Sequence, residues 1–368
     1  MHVILLFTYG YSLKLWYESG ALEREVIYYK RLTNEGNIKF TFVTFGEEDD
    51  LDYSNEFDIF PIYKYLKKRK SRALSYLQSF YIPFIIKKNI IDFDVIKQNQ
   101  LNGSWISILL KILTGKPLFI RTGYDMYKFS IEDNKKWFVR FLYKKLTSLS
   151  LRYSDLYSVS NSQDEYFLNK NFTIENKLII RPNWVLSAES SSIDSRNKNS
   201  ILNVGRLERQ KNQIELIRAL ENTDFNLVIY GEGSLRNYLL QKSNELNVNT
   251  TINNVVQYKD LLEIYKQYKF FVLSSDFEGN PKVLLEAMAS GCVVVAKNIP
   301  NNEELIENNQ DGFIYSNEKE LKLLFKNFAL GNIDFFSISN KARKKVENNH
   351  SIEKLLKDEI KDLKNLIN

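Results

Sequence analysis

Residues 270–295 read FFVLSSDFEGNPKVLLEAMASGCVVV. The run Phe270–Ser274 is apolar and β-rich. Pro281–Ser290 has helical spacing, with a proline at the first helical position, where its missing N–H costs nothing. Val293–Lys297 is apolar again. Two continuously apolar strands around one helix predict a βαβ unit whose strands are covered on both faces, that is, a parallel sheet. Two glutamates interrupt the pattern. Glu278 sits in the loop before the helix. Glu286 sits on the helix inside VLLEAMA, where a carboxylate is costly to bury without a partner. From these positions, one carboxylate can reach a reacting group while the other reaches a neighbouring diol.

Working outward, the same alternation fills the chain. Towards the N-terminal side, strands are expected at Ile201–Val204 and Asn226–Tyr230, and after the unit at Gly312–Tyr315. The intervening helices are Asn212–Glu221, Leu235–Asn247 and Asp260–Tyr268. The first half offers strands at Val3–Thr8, Ile38–Phe45, Phe57–Ile62, Phe93–Gln98, Leu118–Arg121, Leu156–Ser160 and Leu178–Arg181, with helices at Leu22–Thr33, Ser71–Lys88, Ile106–Leu113 and Lys135–Arg152. Between the halves, AESSSIDSRNKNS (188–200) is polar and aperiodic and reads as a loop. The expected organisation is therefore α/β. Residues 1–184 form an N-terminal Rossmann-like domain completed by a tail helix, 351–368. A linker follows at 185–200, then a second Rossmann-like domain at 201–350, with the ligand cleft between the two domains.

The 368 residues suit two domains. The net charge of +6 is too small to indicate a nucleic-acid protein by itself, and no nucleic-acid motif accompanies it. A single cysteine, Cys292, excludes a disulfide framework and a cysteine-based zinc site. Two histidines, His2 and His350, nearly remove histidine chemistry. The N-terminal MHVILLFTYG lacks the basic flank and cleavage site of a signal peptide and reads as a buried strand. No run approaches the ~18–20 apolar residues of a spanning helix. The expectation is a cytoplasmic chain.

Two more loops in the second half carry unusual residues, and each follows a predicted strand. In a parallel sheet all three loops emerge at one edge, where open α/β sheets bind ligands. In ILNVGRLERQKNQ (201–213), Gly205 permits a tight turn, and Arg206 and Lys211 put two cations at a helix start. This suits a diphosphate as well as it suits a solvated basic loop. In LVIYGEGSLRNYL (227–239), Gly231 and Gly233 open a helix. They allow a close approach to a ligand, or they are simply a turn.

GRLERQKN, YGEG, EGNPKVLLEAMASGCVVV and IPNNEELIENNQDGFIY occur in an order and spacing that resemble glycosyltransferase family 4. These are retaining enzymes of the GT-B fold that use nucleotide-sugar donors. The resemblance is strong over roughly 200–316 and loose in the first half. It implies that Arg206 and Lys211 hold the donor diphosphate, Glu278 binds sugar hydroxyls and Glu286 bonds the ribose. Backbone amides of Asn280, Pro281, Lys282 and Val283 would border the sugar and phosphate (Pro281 itself has no N–H), and Asn254 and Val256 would pack the base. Gly10 matches a glycine loop that approaches the phosphates from the other domain, and Asn183 an asparagine just before the domain crossing. The resemblance further implies no metal and no cofactor beyond the nucleotide-sugar substrate.

One departure stands out. Many family members carry a histidine in the N-terminal domain near the sugar, and neither His2 nor His350 fits that place. The matching loop here is PLFIRTGYDMYKF (117–129), with Arg121, Tyr124 and Asp125. Arg121 would stabilise charge on a leaving diphosphate, or it pairs with a carboxylate such as Asp125. The inferred chemistry is same-face transfer, in which the departing phosphate oxygen takes the acceptor proton. Glu278 and Arg121 are then the catalytic candidates.

On the acceptor side, Tyr11, Trp16, Tyr124 and Asp125 are candidates. Tyr11 and Trp16 are placed either to stack on sugar rings or to pack in the core. Residues 61–91 contain eight Lys or Arg, no Asp or Glu, and interleaved aromatics. This suits an anionic membrane surface and a lipid-linked saccharide acceptor, or a solvated basic helix face. Competing readings are a nucleotide-sugar epimerase of similar architecture, disfavoured by the scarcity of histidine, and a catalytically inactive sugar- or nucleotide-binding partner.

Overall fold

The computed structural model describes residues 1–186, 193–331 and 333–367. The chain divides into two compact units: Met1–Pro182 with Leu355–Asn368, and Asn183–Lys354. Of the expected 185–200 linker, residues 187–192 lie outside the described residues, and from Asn197 the chain is already a strand.

The first unit holds β1 His2–Leu6, β2 Lys39–Thr44, β3 Asp58–Pro61, β4 Val95–Asn99, β5 Leu118–Arg121, β6 Leu156–Val159 and β7 Lys177–Ile180. They form one sheet in the order β3-β2-β1-β4-β5-β6-β7, and each paired neighbour is parallel. The second unit holds β8 Asn197–Val204, β9 Asn226–Tyr230, β10 Thr250–Asn253, β11 Tyr268–Leu273, β12 Val293–Lys297 and β13 Phe313–Tyr315, ordered β10-β9-β8-β11-β12-β13 and again parallel. Strands covered on both faces have no polar side, which explains the continuous burial of Phe270–Leu273 and Val293–Ala296. Strand order reverses between β1 and β4 and between β8 and β11, so each sheet has a switch point where its strand ends open a crevice.

Three features depart from expectation. Ser71–Lys88 is not one helix but two, Arg72–Ser79 and Ile82–Asn89. Pro83 in the first turn of the second supplies no N–H to continue the first. Strand β10, TTIN, escaped notice because it is a short edge strand with one buried residue, Ile252. The helices Leu13–Glu18, Met126–Glu132 and Ser162–Asn171 also went unpredicted. Each begins at a side-chain cap, Ser12, Asp125 or Asn161, and those caps are the signal that would have found them.

The C-terminal helix Ile352–Asn365 belongs to the first unit over most of its length. Polar pairs fasten it there. Asp362 receives two bonds from Arg181, at 2.7 and 2.9 Å. Glu359, fully buried, takes Lys97 on Oε1 and Tyr28 Oη on Oε2, the latter at 2.7 Å.

Candidate active site

In the second unit, the loops after β8 and β11 meet at the switch point. They are stitched by main-chain and side-chain bonds: Asp276 N to Gln210 O at 2.9 Å, Gln210 Nε2 to Phe277 O at 2.8 Å, and Ser274 Oγ to Lys211 O at 2.8 Å. This stitching brings Lys211 Nζ to 2.5 Å from Glu278 Oε1. Arg206 is exposed, its guanidinium only 3.4 Å from Gln210 Oε1. One cation is therefore committed to a carboxylate and the other is open to solvent. Behind them, Lys297 bridges Glu215 at 2.5 Å and Asp276 at 2.8 Å, and Asn212 bonds the same two carboxylates. Gln210 and Lys297 are positioning residues that sequence reading missed.

The Glu278-Gly279-Asn280 loop is held from two further sides. Asn183 donates its backbone N–H to Asn280 Oδ1 at 3.0 Å and its Nδ2 to Asn280 O at 2.6 Å. Asn301 Nδ2 bonds Gly279 O at 2.5 Å. The expected asparagine before the domain crossing is thus a brace for the loop. Pro281 is the residue before the helix Lys282–Ala289 rather than its first residue, and its carbonyl accepts from Leu284 N at 3.1 Å. Val283 packs partly buried on the core. Glu286 is buried on the same helix. Its Oε2 lies 3.4 Å from the hydroxyl of Tyr265, and burial together with the Glu286 charge pushes that hydroxyl well above the usual tyrosine range. Asn254 is exposed just past β10, and Val256 is half-buried beside it.

Gly231 and Gly233 have a structural cause. A Cβ on Gly231 would lie 2.0 Å from Gly205 O, and one on Gly233 would lie 2.4 Å from Leu207 O. The two loops run backbone to backbone, with Leu207 N bonded to Glu232 O at 2.8 Å and Leu235 N to Leu207 O at 3.0 Å. The close approach that these glycines permit is to the neighbouring loop carrying Arg206.

In the first unit, Gly10 follows β1 with φ +83° and open space around it. Tyr11 is exposed, whereas Trp16 stacks on buried Phe7 with ring centroids 4.1 Å apart. Arg121, at the end of β5, does not pair with Asp125. Its Nη1 lies 3.6 Å from Glu359 Oε2, and its Nη2 donates to Pro182 O at 3.2 Å. Burial works to raise the Glu359 carboxyl, but the Lys97 and Arg121 charges with the Lys97 and Tyr28 hydrogen bonds hold it below the ordinary range. The same burial lowers the Lys97 ammonium. Asp125 is turned inward instead. It caps the helix Met126–Glu132 by accepting from Lys128 N at 2.6 Å, and burial lifts its carboxyl to about 7. Tyr124 stacks on Phe129 at 4.7 Å. Both histidines have local partners: His2 bonds Asp92 O and Thr41 Oγ1, and His350 bonds Asn183 O.

The basic stretch 61–91 spans the two helices above. Phe80, Tyr81 and Phe84 are exposed, and Lys64 and Lys68 pair with Glu48 and Glu47. Among the described residues, no helix is long and apolar enough to cross a membrane, and no group of three or more His, Cys, Asp or Glu is arranged to hold a metal ion.

Residues 188–349 match the family model described as Glycosyl transferases group 1. A Campylobacter jejuni protein named as an α-1,4-N-acetyl-D-galactosaminyltransferase acting on GalNAc-α-(1->4)-GalNAc-α-(1->3)-diNAcBac-PP-undecaprenol is 27% identical over 204 residues, 54% of this chain and 56% of the relative. The Escherichia coli UDP-Gal:α-D-GlcNAc-diphosphoundecaprenol α-1,3-galactosyltransferase is 26% identical over 293 residues, 74% of this chain and 75% of that protein. The chain thus spans about half the length of the first relative and three quarters of the second. Sucrose-phosphate synthase from Thermosynechococcus elongatus superposes with a TM-score of 0.82 at 14% identity, over 100% of this chain and 99% of that one. The fold is the expected one: two Rossmann-like α/β domains of the GT-B kind with a helical C-terminal segment.

Proposed function

We propose that this chain is a retaining family 4 glycosyltransferase. It moves a sugar from a nucleotide-diphosphate-sugar to a lipid-linked saccharide during bacterial surface-glycan assembly, at the cytoplasmic face of the membrane. The observation that carries the reading is the Lys211–Glu278 pair at the β8/β11 switch point, inside the segment that matches the glycosyl transferase model. The relatives named above are transferases acting on undecaprenol-linked saccharides, one with UDP-galactose as donor, which favours transfer over epimerisation or mere binding.

In this reading Arg206 and Lys211 take the donor diphosphate. Arg206 is already open to solvent, and Lys211 exchanges part of its bond with Glu278 for phosphate oxygens. Glu278, with an ammonium on its Oε1, is a weak nucleophile and suits the positioning of sugar hydroxyls. Glu286 bonds the ribose, and amides at the start of the helix Lys282–Ala289 border the phosphates. Arg121 stabilises the leaving diphosphate, whose oxygen deprotonates the acceptor hydroxyl on the same face as an oxocarbenium-like state forms. Fixed cations stand in for a divalent ion. Residues 61–91 rest on anionic lipid beside the acceptor.

The test is release of nucleoside diphosphate from a panel of UDP- and GDP-sugars, with and without excess EDTA. The expected result is slow donor hydrolysis that survives EDTA and disappears in Glu278→Ala. Loss of activity in EDTA refutes the metal-free chemistry, and a Glu278→Ala variant as active as the parent refutes the site.

A further inference from the structure

The helix Trp137–Tyr153 has an unusual solvent face. At 100° per residue, positions 137, 138, 141, 142, 145, 149 and 152 fall on one arc of about 140°, and all seven are exposed. A solvated helix face normally mixes charges of both signs. This one presents Trp137 (78% exposed), Phe138, Phe141, Leu142 (61%) and Leu149 among Lys145 and Arg152. From 134 to 154 there are six Lys or Arg and no Asp or Glu.

This face does not stand alone. The helix Ser104–Thr114 packs against both Ile82–Asn89 and Trp137–Tyr153. Lys87 Nζ bonds Leu113 O at 2.8 Å on one side, and Ser150 Oγ bonds Ser104 Oγ at 2.8 Å on the other. Ile112 on the middle helix is 59% exposed. Segments 61–91 and 134–154 together carry fourteen cations and no acid, against +6 for the whole chain, which leaves −8 for all other residues. Outside these two segments the sequence is net acidic, and three of the fourteen cations, Lys64, Lys68 and Lys135, pair with the acids Glu48, Glu47 and Asp133 that flank them.

We propose that the helix Trp137–Tyr153 lies in the interface of an anionic bilayer. Trp137, Phe138, Phe141 and Leu142 are immersed at headgroup depth, and Lys145 and Arg152, with Lys88 on the helix Ile82–Asn89, sit on lipid phosphates. Aromatic and aliphatic side chains beside Lys and Arg, with acids excluded, form the pattern of an interfacial helix. The charge also decides against a second copy of the chain, because a two-fold contact would set the cationic layer against itself. The proposal extends the membrane reading of 61–91 given above to a new element, and its test requires no turnover.

Tryptophan fluorescence reads it directly. Trp16 stacks on Phe7, Trp105 Nε1 donates to Ser79 Oγ at 2.9 Å and Trp184 is buried, so Trp137 is the reporter. The full chain is mixed with phosphatidylcholine vesicles with and without an equal share of phosphatidylglycerol. The expected result is a blue shift and co-sedimentation with the anionic vesicles only, both weakened in high salt. Trp137→Ser with Leu142→Ser should lower the partition coefficient about tenfold or more, with the thermal midpoint and the shift given by UDP unchanged. Four results overturn the proposal: no blue shift with anionic vesicles, equal binding to neutral ones, undiminished binding by a folded double variant, or a dimer in solution that the double variant abolishes. A chain that binds vesicles but turns over no donor leaves this proposal standing and removes the enzymatic one.

Discussion

Lys211 Nζ lies 2.5 Å from Glu278 Oε1, and the two side chains are 14% and 8% exposed. Loops from two strands supply this pair, so each loop is held where the other needs it. Breaking a mostly buried pair by removing one partner strands the other charge, at a cost of about 3 kcal/mol. Lys211→Met should therefore lower both stability and donor affinity. Glu278→Gln keeps the size of the side chain and should lower kcat about a hundredfold. Steady-state kinetics with the thermal midpoint measured alongside is the check. A Glu278→Gln enzyme with parental kcat and KM removes the pair from the mechanism.

The buried set around Glu359 makes a separate prediction. Glu359→Gln leaves Lys97 charged, fully buried and without a carboxylate, which should cost roughly 3–5 kcal/mol. Hydrogen exchange should rise first over 352–365 and β4, before the second unit responds. The same carboxyl makes the fold acid-sensitive. Its folded value is lowered from 4.5, so its contribution is present above that pH and is lost as pH falls through the lower folded value. A denaturant midpoint unmoved by Glu359→Gln contradicts this account.

Apart from the edge strand β10, the strands and the βα loops of both units were legible because parallel strands bury both faces and so write long apolar runs, as in Phe270–Leu273 and Val293–Ala296. In the second unit the candidate residues Arg206 and Lys211 share one loop, and Glu278 and Asn280 share another, so local spacing exposes each group. Glu359 was illegible for the opposite reason. Its partners Lys97 and Tyr28 lie 262 and 331 residues away, and on a helix rich in Lys and Glu nothing local separates a buried carboxylate from a solvated one. The same limit hid Arg121, whose carboxylate partner is on that distant helix rather than four residues on at Asp125. Gly231 looked like a ligand loop, since a close approach to backbone and a close approach to phosphate demand the same residue.

That ambiguity can be tested. An alanine Cβ at Gly231 would sit 2.0 Å from Gly205 O, a backbone atom that cannot swing aside, whereas at Gly10 nothing lies within 4 Å and only the φ of +83° resists. Gly10→Ala should cost about 1–2 kcal/mol. Gly231→Ala should cost more and should also weaken nucleotide binding, because it displaces the loop of Arg206. Urea midpoints for the two variants decide the matter. A Gly231→Ala chain as stable as Gly10→Ala would show that the contact between the two loops relaxes freely.

Asp125 carries the clearest pH dependence in the first unit. Burial raises its carboxyl from 3.8 to about 7, against the pull of the Lys128 amide. Between those values the folded chain keeps a proton that the unfolded chain has released. The associated stability is fully present below about pH 3.8 and is lost as pH rises through 7. Asparagine caps a helix as well as aspartate does and cannot ionise. Asp125→Asn should therefore remove this part of the pH dependence, and the gap between variant and parent should grow in the variant's favour from pH 4 to pH 8 by of order 2 kcal/mol or more. Urea melts at four pH values are sufficient. Parallel curves for the two proteins would mean that the carboxyl is ionised in the folded chain throughout, with its charge satisfied by the cap.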